Sequence, residues 1–117
     1  MSRWAFIPDR GDLIWITLNP VARHEQTGRR PALVVSPKSY NHKTGLCILC
    51  PATRRKKGYP FEVVSTAPDG QESVLLSDHL RNVDWRARKA ELMYRVSPEV
   101  LSAVVARITA LLISPDT

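Results

Sequence analysis

The run Leu46-Cys47-Ile48-Leu49-Cys50 follows Gly45 and leads into Pro51-Ala52-Thr53 and then Arg54-Arg55-Lys56-Lys57. Five apolar residues bounded by a glycine and a proline read as a short strand. The same grammar recurs on both sides. Residues 13–18, 32–36, 61–65, 74–77 and 92–96 are short, apolar and rich in β-branched or aromatic side chains. Turn residues bound them: Gly11-Asp12, Asn19-Pro20, Gly28, Gly58 and Asp69-Gly70. Short strands at this spacing predict a small, mostly antiparallel sheet or barrel.

The central run also carries a C-x-x-C pattern, Cys47 and Cys50, which invites a redox or zinc reading. Residues three apart in a strand point to opposite faces, so these thiols are not expected to meet or to share a metal. One core cysteine and one half-exposed cysteine is the expectation.

Two helical turns are expected around the strands, one after Ser36-Pro37 ending at Gly45 and one at Trp85-Arg86-Ala87-Arg88. The C-terminal segment is a clearer helix. Ser97 is a suitable N-cap, Pro98 a suitable first residue, and Glu99 favours the positive helix end. Val100, Leu101, Val104, Val105, Ile108, Leu111 and Leu112 then recur at helical spacing. The opposite face, with Ser102, Ala103, Ala106 and Ala110, is small rather than charged. Such a helix is expected to be covered on more than one side, a second subunit being one available cover.

Length and charge bound the function. The chain has 117 residues, 44% hydrophobic and 24% charged, with 17 basic and 11 acidic residues for a net charge of +6. That is a single domain, with no space for a nucleotide-binding domain beside a substrate domain. The positive balance points to a polyanionic partner. Residues 1–10 hold no signal-peptide core, and residues 100–113, interrupted by Arg107, are too short to span a bilayer. A soluble cytoplasmic protein with reduced thiols and no membrane partner is expected.

No Walker loop, dinucleotide fingerprint or nucleophile elbow is present. His24, His42 and His79 lack metal-ligand spacing, so no metal or other cofactor is expected. His24 differs from the other two in joining Glu25, Arg29 and Arg30 in a dense polar cluster, either a solvated turn or a site that binds phosphate and moves a proton. Arg54-Arg55-Lys56-Lys57 precedes Tyr59 and Phe61, so charge can hold a nucleic-acid backbone while rings stack bases. Arg81, Arg86, Arg88 and Lys89 form a second basic cluster. Two basic regions in a small fold make nucleic acid the leading partner class.

Six ordered blocks carry a wider resemblance over residues 9–113. They are Gly11-Asp12-Leu13-Ile14-Trp15, Glu25-Gln26-Thr27-Gly28-Arg29-Arg30-Pro31-Ala32, Ser36-Pro37-Lys38-Ser39-Tyr40-Asn41 with Lys43-Thr44-Gly45, Pro51-Ala52-Thr53, Lys57-Gly58-Tyr59-Pro60-Phe61-Glu62-Val63, and Trp85-Arg86-Ala87-Arg88. With them the chain resembles the MazF/PemK family of toxin endoribonucleases from toxin–antitoxin systems, and most of all its MazF-like members.

The resemblance implies a mainly β fold with helices (α+β), a small SH3-like β-barrel of the CcdB/PemK type with a C-terminal helix, filling the whole chain as one toxin domain. It implies a homodimer, metal-independent and ribosome-independent cleavage of single-stranded RNA, and a MazE-like antitoxin whose acidic, flexible segment occupies the RNA groove. By the same resemblance Arg30 and Thr53 are catalytic, and Glu25 belongs to the active site. Arg30 suits a phosphate clamp and not a base. Glu25 is the first candidate for the proton acceptor and His24 the second. Asp78 matches the aspartate proposed as base in PemK-like members, but Leu76 stands where their arginine would be. His79 stands where a glutamine is common. Arg29, Arg54, Arg55, Lys56, Lys57, Tyr59, Phe61, His79, Arg81 and Arg86 are the expected RNA-binding residues, and residues 22–27 the expected cover of the groove. Two alternatives remain open on this fold. One is a CcdB-like gyrase inhibitor, whose Trp-Gly-Ile tail is not matched by Ser114-Pro115-Asp116-Thr117. The other is a nucleic-acid-binding regulator without catalysis.

Overall fold

The computed structural model describes residues 6–18 and 28–113. Among them, β1 (Asp12–Thr17) and β2 (Arg29–Val34) precede helix α1 (Lys38–Thr44). Five strands follow: β3 (Leu46–Thr53), β4 (Glu62–Thr66), β5 (Glu72–Leu76), β6 (Arg81–Asp84) and β7 (Glu91–Arg95). Helix α2 (Pro98–Ile113) closes the described chain. The strands form one antiparallel sheet in the order β4-β5-β3-β2-β1-β7, with β6 also on β3.

β3 is the hub. One edge pairs with β2 through Ala32↔Pro51, Leu33↔Cys50 and Val34↔Leu49. The other edge pairs with β6 from Leu46↔Asp84 to Leu49↔Arg81, then passes to β5 at Ala52↔Leu75 and Thr53↔Val74. A strand that changes neighbours midway lets the sheet curl around itself, and the result is the expected mainly β fold with a C-terminal helix. Alternation along the strands fills two cores. Ile14, Ile16, Ala32, Val34, Cys47, Leu49 and Trp85 lie in one, whereas Leu13, Leu33, Cys50, Val63, Leu75 and Val104 lie in the other.

Cys47 and Cys50 therefore do face apart, but both are fully buried, not one buried and one half-exposed. The reason is that α2 and the curled edge cover the second face. Burial pushes both thiols up to about 12, so they are protonated and inert at neutral pH.

β2 starts at Arg29 and β3 runs on to Thr53, so both polar ends are strand residues rather than loop residues. β6 escaped the apolar pattern because Arg-Asn-Val-Asp buries only Val83. Residues 85–89 form hydrogen-bonded turns: Arg88 N to Asp84 O at 3.1 Å closes a single helical turn that is not continued, and Ala90 N to Trp85 O at 3.0 Å follows it. Lys89 closes them at φ 56°.

A buried polar knot ties α1 to the sheet. Asn41 is fully buried and donates Nδ2 to Pro8 O at 2.7 Å and to Ser36 O at 3.0 Å, while its own carbonyl accepts Trp85 Nε1 at 2.8 Å. Ser36 Oγ donates to Asn41 Oδ1 and accepts Ile48 N at 2.8 Å. Such groups are tolerated inside because each is satisfied. Asp9 Oδ1 accepts Lys38 N at the start of α1, and Gly45 ends it at φ 73°.

α2 begins as expected, with Ser97 Oγ accepting Val100 N at 3.2 Å. Val104 is buried, and Val100, Leu101, Ala103 and Ile108 pack on the second core. Leu112 and Ile113 are 70% and 74% exposed, so one chain covers one side of the helix only. Among the described residues no helix is long and apolar enough to cross a membrane.

Candidate nucleic-acid interface

Thr53 ends β3 where the sheet curls away, and the basic loop starts immediately after it. A cleft of about 470 Å³ opens there, lined by Thr53, Arg55, Lys57, Tyr59, Glu62, Leu76 and His79. A second cleft of about 340 Å³ is lined by Trp15, Leu92, Met93 and Tyr94 with residues of the β4–β5 turn, and no cation lines it. Of the two, the first carries cations, Arg55 and Lys57.

Thr53 Oγ1 accepts Arg55 N at 3.2 Å, which leaves the hydroxyl proton to donate outward. The β2–β3 pairs end at Ala32↔Pro51, two residues short of Arg30 and of Thr53, so both residues sit at the same end of that strand pair. Arg30 is exposed, and among the described residues its guanidinium has no hydrogen-bond or ion-pair partner.

Its neighbour behaves in the opposite way. Alternation turns Arg29 to the other face, where Nη1 donates to Lys89 O at 2.7 Å and to Thr17 Oγ1 and Arg88 O at 3.2 Å. Nη2 donates to Glu91 Oε1 at 2.5 Å. Arg29 is thus a pin between β1, β2 and the chain entering β7, and both its Nη groups are engaged in structural hydrogen bonds. The expected RNA-binding role is not what this geometry provides for it.

The basic run divides as well. Arg55 and Lys57 line the cleft, whereas Arg54 Nη2 donates to Gln71 Oε1 at 2.8 Å and Lys56 is exposed outside the lining. Tyr59 donates its hydroxyl to Asp78 Oδ1 at 3.0 Å and lies 3.4 Å from His79 Nε2. His79 Nε2 and Asp78 Oδ1 are 3.7 Å apart. Desolvation, then the hydrogen bond and charge of Asp78 and the charge of Glu62, raise the Tyr59 phenol above its ordinary value. It stays a donor.

Phe61 is half-buried, and its carbonyl accepts Ser77 N at 3.1 Å. Arg81 reaches Leu18 O at 3.4 Å. Arg86 donates to His42 O at 3.1 Å at the end of α1 and lies 4.9 Å from the centroid of the Trp85 ring. These three are not brought into the cleft. Glu25 and His24, and the expected groove cover at 22–27, lie outside the described residues.

Glu62 was not among the expected site residues. Its carboxylate accepts Lys57 N at 3.0 Å and Gly58 N at 2.7 Å, closing the basic loop on itself. A lone carboxylate four residues beyond a cationic glycine turn was the available signal.

A curled β sheet with a C-terminal helix, bearing a cleft lined by Arg55, Lys57 and the Thr53 hydroxyl, defines a small β-barrel class of protein. Known proteins narrow the class. The PemK-like, MazF-like toxins of type II toxin–antitoxin systems match over residues 9–112. The endoribonuclease toxin MazF of Escherichia coli K12 is 45% identical over 107 residues, covering 92% of this chain and 96% of that protein. The E. coli endoribonuclease PemK is 30% identical over 108 residues, covering 89% and 81%. The crystal structure of MazF from Deinococcus radiodurans superposes with a TM-score of 0.81 at 50% identity, over 92% of this chain and 97% of that one. A MazE–MazF crystal structure from D. radiodurans gives 0.80 at 45% identity, over 92% and 96%. The chain belongs to the PemK-like, MazF-like toxin family of type II toxin–antitoxin systems.

Proposed function

We propose that this endoribonuclease toxin cuts single-stranded RNA at the rim of the cleft, between Arg30 and Thr53. The observation that carries the reading is the contrast between two adjacent arginines. Arg29 is consumed by structural hydrogen bonds, while Arg30, at the end of the β2–β3 pair near which β3 ends in Thr53, stands exposed and, among the described residues, unpaired.

The reaction needs no outside nucleophile. The RNA's 2′-hydroxyl oxygen attacks the adjacent phosphorus, the bond to the 5′-oxygen breaks, that oxygen takes a proton from water, and the products are a 2′,3′-cyclic phosphate and a 5′-hydroxyl. Arg30 binds the non-bridging oxygens bidentately and stabilises the charge they gain in the transition state. Thr53 donates its hydroxyl to one of them. Glu25 accepts the 2′-hydroxyl proton, with His24 as the second candidate. Asp78, held by Tyr59, is the third, and Leu76 in the same cleft lacks the cationic partner that the PemK pattern supplies. Arg55 and Lys57 hold the flanking phosphates, and Tyr59 and His79 meet the bases.

The working form is a homodimer in the cytoplasm, with α2 giving its exposed apolar residues to a second copy. An acidic flexible segment of a MazE-like antitoxin competes with RNA for the cationic cleft. Crystal structures of MazE–MazF complexes from D. radiodurans support such a partner.

Mapping the ends produced from a long defined RNA in EDTA tests the reading. New 5′ ends that a polynucleotide kinase labels without prior phosphatase treatment are expected at one short recurrent sequence. Ends bearing 5′-phosphate, or cutting that requires a divalent ion, would refute it.

A further inference from the structure

Arg107 is the single charged residue of α2 beyond Glu99, in a helix otherwise built of apolar and small side chains. It lies on the inward side, one residue from Ile108 and four from Ala103, both packed on the second core. A cation there must find acceptors. Nη1 donates to Ala103 O at 3.1 Å, within its own helix, and Nε donates to Pro60 O at 2.9 Å, in the loop that walls the cleft.

That loop is otherwise held from within the site. Glu62 holds Lys57 N and Gly58 N, Tyr59 O accepts Glu62 N at 3.1 Å, and the Tyr59 hydroxyl holds Asp78. The Arg107 bond comes from a different layer of the fold and grips the residue immediately after Tyr59. A guanidinium tied at both ends sets the height of the Pro60 peptide over the helix, and so the reach of the Tyr59 ring over the cleft.

We infer that Arg107 is a positioning residue for RNA binding, holding Pro60 so that Tyr59 stays on Asp78 in the wall of the cleft. The inference rests on the reading of this cleft as the RNA site. Arg107 touches no substrate and acts through Tyr59.

The test is a double-mutant cycle on the full chain. The probe is the RNA from the end-mapping experiment with 2′-deoxyribose at the cut position, which binds but cannot be cut. Loss of one charge-assisted bond predicts that Arg107→Ala weakens binding about fivefold. KM on cleavable RNA rises by the same factor while kcat changes less than about twofold. Arg107→Lys, which keeps one donor, restores most of the affinity. In a Tyr59→Phe background Arg107→Ala adds less than about 1.5-fold, because the contact it preserves is already gone. An Arg107→Ala protein that binds like wild type overturns the inference. So does a full fivefold loss in the Tyr59→Phe background, or a failure of Arg107→Lys to rescue. If Arg107→Ala loses the native circular dichroism spectrum, Arg107→Met, which keeps the packed stem, takes its place with the same expected values. A wild-type protein that cuts no RNA defeats the functional reading itself, a result separate from any of these.

Discussion

Arg29 and Arg30 are adjacent and chemically identical, and the structure assigns them opposite consequences when removed. In Arg29→Ala, three carbonyl or hydroxyl acceptors and one carboxylate lose their donor. The ion pair contributes little, since Glu91 is 75% exposed and such pairs give about 0–1 kcal/mol after screening. The bonds to Thr17, Arg88 and Lys89 net about 0.5–1 kcal/mol each, because the stranded acceptors lie near enough to the surface to rehydrate in part. The sum is a loss of about 2 kcal/mol, or about 8 °C in Tm for a domain of this size. Cutting below the melting transition changes by less than about threefold. Arg30→Ala removes a side chain with no partner among the described residues, so Tm moves by less than about 2 °C. Losing a transition-state phosphate clamp costs about 3–4 kcal/mol, which lowers kcat/KM about 100- to 1000-fold. The assay is a thermal melt at matched protomer concentration beside initial rates on a defined RNA. A stable but inactive Arg29→Ala, or an unstable Arg30→Ala, would show that the two roles are exchanged.

Two further outcomes follow from the site and the cores. Thr53→Val keeps the shape of the strand end but has no hydroxyl, so cutting falls at least about tenfold with Tm nearly unchanged, while Thr53→Ser retains most activity. Single-turnover rates check this, and an active valine variant removes Thr53 from the mechanism. Cys47 and Cys50 hold their protons to about pH 12 when folded, against an ordinary value of 9.0. Their folded values are raised, so their contribution is complete below pH 9 and declines as pH rises toward 12, by up to about 1.4 kcal/mol per thiol per pH unit. Urea midpoints should therefore drop between pH 8 and 10.5, less steeply in Cys50→Ala, and an unchanged slope would contradict the burial of that thiol.

Local chemistry was legible along the chain wherever one residue and its near neighbours settle the matter. Ser97-Pro98 announces α2 because a cap is satisfied within three residues. Leu46-Cys47-Ile48-Leu49-Cys50 announces a strand and the divergence of its two thiols because side-chain alternation is a property of the backbone. Thr53 and Arg30 came from a resemblance, and the strand pairing places both at one end of the β2–β3 pair. β6 was illegible because an edge strand needs a single buried residue, and Val83 in Arg-Asn-Val-Asp makes no pattern.

What tertiary structure alone decided is which charges are free. Composition counts 17 basic residues and ranks none of them. Arg29 finds its acceptors about sixty residues away, where the chain returns through Arg88, Lys89 and Glu91, and Arg107 finds Pro60 across the gap between helix and loop. A guanidinium's role depends on whether its donors are already engaged, and for these side chains the acceptors come from distant parts of the chain. The sequence determined by itself a small basic β-barrel with a capped terminal helix. Folding determined which arginine keeps its donors unengaged among the described residues, because only chain closure brings the competing carbonyls into reach.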